Sequence, residues 1–160
     1  MEHESEYVGI LLESLKKKKQ VLTHIMEYTD EQEKLIAKDK FDVEAFGKLV
    51  ERKAECIDTL THLDSGFQKI FDRVKAVFEI SREQYTEQIA VMQELIPEIM
   101  KLSMSIQTRE AANKAVIEKQ FLSVKKDIYT VKNTQKVTRD YYNAMNKINL
   151  IDPQFLDKRN

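Results

Sequence analysis

The chain has 160 residues, of which 42% are hydrophobic and 33% charged, enough apolar side chains to bury a core and enough charge to keep it in water. Three glycines and two prolines are about a quarter of ordinary usage, which excludes the turn-rich sandwiches and barrels and the glycine-rich junctions of a doubly wound sheet. A formal net charge of −1 argues against a general nucleic-acid binder, whose footprint is strongly basic.

The first helical segment runs from about Glu4 to Ala37. Val8, Leu11, Leu15, Lys18, Leu22, Ile25, Thr29, Gln32 and Ile36 step by alternating threes and fours, a heptad seam with polar interruptions. Lys18 lies on that seam and is expected to snorkel its ammonium to water. Asp42 then suits an N-cap, and Phe41 before it can pack on Phe46 as a hydrophobic staple. So short a connection makes the first two helices an antiparallel hairpin.

The second helix is expected from Val43 to about Ile80, with Phe46, Leu49, Lys53, Ile57, Leu60, Asp64, Phe67, Phe71, Val74 and Phe78 on its seam. Gly66 interrupts it, tolerated or as a bend. Ser81-Arg82-Glu83-Gln84 has the form of a capping box, with Ile80 and Tyr85 able to staple across it. The turn into the third segment belongs here.

That third segment spans about Arg82 to Asn149. Pro97 should kink it near Glu94. Its apolar stripe is clear from Ile89 to Ile106 and thins through Gln107–Glu110. It resumes as Val116, Ile117, Phe121, Val124, Ile128 and Val131, thins again, and returns with Tyr141, Tyr142, Met145 and Ile148. The thin stretch at Arg109–Asn113 reads as a flexion point. Asp152-Pro153 near the end reads as a turn or a one-turn helix. The expected fold is therefore all-α: an antiparallel helical hairpin at 1–80 plus a long bent third helix at 81–160, an elongated bundle or coiled coil.

Charge is uneven along this framework. Residues 1–100 hold 14 Lys/Arg against 21 Asp/Glu, and residues 101–160 hold 12 against 6, a contrast that can steer a partner toward one end. Cys56 is the lone cysteine, so no intrachain disulfide forms. No basic leader with a long apolar run precedes the first helix, and no window nears the roughly 18–20 apolar residues of a membrane span. The expectation is a cytoplasmic chain without membrane insertion.

Catalytic groups are scarce. Val21 and Thr59 stand where a di-metal bundle would place a glutamate three residues before His24 and His62. A Cys56–His24 pair across the hairpin is the one nucleophile arrangement available, and Cys56 reads more simply as a small buried hydrophobe. No phosphate loop, nucleophile elbow or metal signature is present, so no enzyme activity and no cofactor is expected. Met92, Met100 and Met104 cluster in the third segment, as core filler or as an adaptable surface.

The segment from Leu35 to Lys75, with Lys53 followed by Ile57 and Leu60, resembles the central part of FlgN-type flagellar export chaperones. The ending YYNAMNKINLIDPQFLDKRN resembles that family's tail, a tyrosine pair and methionine followed by an aromatic-x-Asp-Lys close. The resemblance implies a cytoplasmic, non-enzymatic chaperone that holds the C-terminal helix of flagellar hook-associated junction proteins and hands it to the export gate's cytoplasmic domain. The apolar row of Val116, Ile117, Phe121, Val124, Ile128 and Val131 would then face the client, helix in groove, the alternative being that it packs permanently on the chain's own hairpin. Tyr141, Tyr142 and Met145 would dock at the gate, the alternative being that both tyrosines cap the end of the third helix against the hairpin. Adjacent helical residues lie 100° apart, so at most one of the two tyrosines can enter a seam. The competing expectation is a structural coiled coil that self-assembles, a homodimer included, through the same seams.

Overall fold

The computed structural model describes residues 2–124 and 128–148. Four helices follow one another: α1 (Glu2–Ile36), α2 (Val43–Ile80), α3 (Thr86–Ser123) and α4 (Ile128–Ile148), with a 3-10 turn at Arg82–Tyr85 before α3. Of the described residues 94% are helical, and none lies in a strand.

The hairpin forms as its local signals dictate. Asp42 Oδ1 accepts from the Ala45 amide at 3.0 Å, which satisfies one of the free donors at the start of α2. The Phe41 and Phe46 rings lie 5.4 Å apart, closing the staple. At the other end of α2 the turn falls where expected but is built differently. Ser81 makes no side-chain cap bond, Ile80 is 85% exposed, and Tyr85 packs on Phe78 at 6.0 Å. The chain is held there by an aromatic pair instead of a capping box.

Cross-helix bonds fix the topology. Lys18 meets Asp64 and Lys53 meets Gln32, so α1 and α2 are antiparallel. Lys19 with Glu98, Glu33 with Arg109 and Ile36 with Gln120 rise together, so α3 runs parallel to α1. Glu51 with Lys136 and Asp58 with Lys147 place α4 parallel to α2. The order is up, down, up, down. At 21 residues α4 is about 30 Å long, whereas α1 exceeds about 50 Å. Among the described residues, the end near the α1–α2 turn is thus a four-helix bundle and the far end has three helices. α1 packs on both α2 and α3, and α4 packs chiefly on α2.

The third segment departs from a single bent helix. α3 runs on through Pro97, where both Pro97 and Gln93 are exposed, so the carbonyl left without a donor can be hydrated. α3 ends at Ser123, because Val124 adopts an extended conformation (φ −68°, ψ 122°). The reversal there, and not at Arg109–Asn113, lets α4 fold back. One continuous core then joins all four helices, from Val8, Leu11 and Leu22 through Phe46, Ile57 and Leu60 to Ile99, Ile106, Ile117, Val137 and Tyr141.

Lys18 does not snorkel. It is 2% exposed and donates to Asp64 Oδ1 at 2.6 Å. Asp64 on the facing helix, itself a third exposed, pairs the buried ammonium, which would be costly to leave unpaired.

Candidate functional site

Chemistry-bearing side chains converge at the four-helix end. Phe41 from the turn, Phe46 from α2, Phe121 from α3 and Tyr141 from α4 form one cluster. Phe121 stands 5.8 Å from Phe41 and 5.7 Å from Phe46, and Tyr141 stands 5.9 Å from Phe46 and 6.0 Å from Phe121. These tilted and edge-to-face spacings are the ones aromatic quadrupoles favour. Helix period explains the assembly: Val137, Tyr141, Ala144 and Ile148 repeat by four, three and four residues and form the buried stripe of α4.

Beside this cluster lies a polar junction to which each helix contributes one residue. Lys53 of α2 donates to Gln32 of α1 at 2.8 Å and to Glu110 of α3. Lys53 and Glu110 are each 3% exposed as side chains. A cavity of about 10 Å³ adjoins them, lined by Gln32, Val50, Lys53, Glu110, Tyr141, Ala144, Met145 and Ile148, room for about one water molecule. The Tyr141 hydroxyl is buried with no hydrogen-bond partner among the described residues. Burial pulls the Lys53 ammonium below the ordinary lysine range, and the nearby Arg109 charge adds to this while Glu33 opposes it. Burial likewise pushes the Tyr141 phenol up, helped by Tyr142 and Glu118.

A second polar set ties α3 to α1. Arg109 Nε and Nη2 reach the two Glu33 carboxylate oxygens at 2.9 and 2.6 Å, a bidentate pair, and Nη2 also meets Asp30. Asn113 donates to Glu33 at 3.0 Å. Hydrogen bonds from Arg109 and Asn113 hold the Glu33 carboxyl below its ordinary range. Gln120 Nε2 donates to the Ile36 and Lys38 carbonyls at 2.7 and 3.1 Å, capping the end of α1. The stretch expected to flex at Arg109–Asn113 is therefore the most heavily cross-linked part of α3. Its apolar stripe thins because ion pairs replace apolar contacts there.

The residues expected to face a client divide. Val116 is 43% exposed, Ile117 is buried at 1%, and Phe121 and Val124 are half-buried against the core. The side chains of Ile128 and Val131 lie outside the described residues, as does the Asp152-Pro153 segment. Of the tyrosine pair, Tyr141 is 3% exposed and Tyr142 36%, with ring centres 5.3 Å apart. One tyrosine enters the seam and the other faces out, as their angular separation requires. Burial and the neighbouring Glu118 carboxylate of α3 push the Tyr142 phenol up, and Met145 is half-buried. Of the three methionines, Met92 is core, whereas Met100 and Met104 are 38% and 61% exposed.

Reading the sequence missed Glu110 as a seam residue. The signal was present: Ser103, Ile106, Glu110 and Ile117 step by three, four and seven, and Lys53 already stood as a lone opposite charge on the α2 seam.

Among the described residues no His/Cys/Asp/Glu group is arranged to hold a metal, and no helix is long and apolar enough to cross a membrane. The described residues form an all-α bundle with buried seams and an aromatic cluster at its four-helix end. The family described as FlgN protein matches residues 7–147. The chain belongs to the FlgN family, a family of flagellar export chaperones. Neither the curated proteins nor the solved structures contain a match to the chain.

Proposed function

We propose that this chain is a cytoplasmic, non-enzymatic chaperone that holds the C-terminal helical segment of flagellar hook–filament junction proteins and delivers it to the export gate. The observation that carries this reading is the family match across residues 7–147. The hairpin at 1–80 serves as the scaffold, and the partner-binding groups belong to 81–160. The client-facing stripe comprises Val116, Ile117, Phe121, Val124, Ile128 and Val131. Val116 is open to a partner as the bundle stands, whereas the packed Ile117 and Phe121 join the contact only when the aromatic end loosens.

Gate docking falls to the tail of α4. Tyr142 offers a large ring with a polar tip on a helix that also carries the cations Lys136, Arg139 and Lys147, a composition common at interface anchors. Tyr141 and Met145 support it from inside. Isothermal titration of the purified protein with the C-terminal segment of a junction protein tests the client assignment. Saturable 1:1 binding, lost on Val116→Ser/Val124→Ser with the melting temperature kept, supports it. If neither the segment nor the full junction protein binds, and light scattering shows a concentration-dependent homo-oligomer, the chain is a structural coiled coil.

A further inference from the structure

The Lys53–Glu110 pair is buried partly by α4. The cavity against the pair is lined on its other side by Tyr141, Ala144, Met145 and Ile148, all from α4. Among the described residues α4 is also the shortest α-helix, and it packs chiefly on α2. Its polar ties to α2, Lys136–Glu51 and Lys147–Asp58, are solvent-exposed on both sides and contribute little. Docking α4 therefore removes bulk water from a lysine, a glutamate and a phenol whose hydroxyl has no hydrogen-bond partner among the described residues. Removing water from a buried ion pair often cancels its Coulombic gain, and a buried hydroxyl without a protein partner adds to the cost of docking.

We propose that α4 is a reversible cover, and that the polar junction beneath it keeps its grip weak enough to open while α1, α2 and α3 stay folded. Lifting α4 returns Lys53, Glu110 and the Tyr141 hydroxyl to water, so the open state recovers hydration that the closed state forgoes. The aromatic cluster supplies the opposing closing force: Phe46, at 0% exposure, and Phe121 both touch Tyr141. α3 keeps its own ties to the hairpin when α4 lifts, because Arg109, Asn113 and Gln120 bond directly to α1. The cover opens with or without a client, so this inference stands apart from the client assignment above.

Native-state amide exchange of the full chain, followed by mass spectrometry, tests it. Residues 137–148 should exchange at least about tenfold faster than residues 46–57, by sub-global opening. In Gln32→Leu/Lys53→Met/Glu110→Leu, exchange in 137–148 should slow by about tenfold or more, as expected when packed apolar groups replace a buried pair. Tyr141→Phe, which removes only the unpartnered hydroxyl, should slow it in the same direction and serves if the triple variant does not fold. Equal exchange of the two segments in the unmodified protein overturns the proposal. So does exchange in 137–148 that is unchanged or faster in Tyr141→Phe.

Discussion

Two glycines in one helix should respond oppositely to the same substitution. Gly66 lies mid-helix in α2, and a Cβ built there meets nothing within 4 Å. Gly66→Ala should therefore stabilise by about 0.8–1 kcal/mol, the helix-propensity difference. Gly47, in the same helix, gains the same backbone term, but its Cβ would stand 2.8 Å from Val137 Cγ2 of α4. Valine has one strongly preferred rotamer in a helix, so its methyl cannot swing aside, and α4 must shift by a few tenths of an ångström. Overpacking of this kind costs about 1–3 kcal/mol, which leaves Gly47→Ala between neutral and about 2 kcal/mol destabilising. In a Val137→Ala background the obstructing methyls are gone. The second substitution should then gain close to the Gly66 value, a coupling of at least about 1 kcal/mol between residues in contact. Thermal melts followed by circular dichroism at 222 nm read this directly, at roughly 2–4 °C per kcal/mol for a chain of this size. If Gly47→Ala raises the melting temperature as much as Gly66→Ala does, α4 does not lie over Gly47. The parallel α2–α4 packing would then be wrong.

Four further outcomes can be measured. Leu60→Ala, at a site 1% exposed in the hairpin core, should cost about 2–5 kcal/mol in urea denaturation. Lys53→Met alone leaves Glu110 buried without its cation and should cost about 3–5 kcal/mol, against little or no loss when Gln32 and Glu110 are made apolar as well. The Glu33 carboxyl is held below its ordinary 4.5, so its contribution is present above that pH and is lost as pH falls through the lowered folded value. Arg109→Met should flatten the acid limb of a stability–pH curve, and an unchanged limb would deny Glu33 that role. Tyr142→Ala should weaken binding to the export gate's cytoplasmic domain, with client binding and melting temperature kept, since this ring is the exposed member of the pair. Normal docking would remove Tyr142 from the interface.

The sequence by itself determined the helices of the hairpin and the faces they bury. Period, caps and turn chemistry are local, so Asp42, the Phe41–Phe46 staple and the heptad seams could be read without knowing what they pack against. It also determined that only one of Tyr141 and Tyr142 enters the core, because 100° per residue holds in any helix. The family resemblance, carried by Lys53, Ile57 and Leu60 and by the tyrosine tail, was legible for the same reason, since those residues sit at fixed helical positions.

Pairing was decided only by tertiary structure. Lys18 and Lys53 looked like seam interruptions until Asp64 and Glu110 on facing helices neutralised them, and a partner 46 or 57 residues away leaves no local mark. Arg109–Asn113 looked weak because periodicity counts apolar residues, whereas its attachment to α1 is made by a bidentate ion pair. The break at Val124 carries no proline or glycine. The chain turns there because α4 buries Val137, Tyr141, Ala144 and Ile148 by folding back onto α2, a gain that exists only once α1, α2 and α3 have formed the surface that receives it.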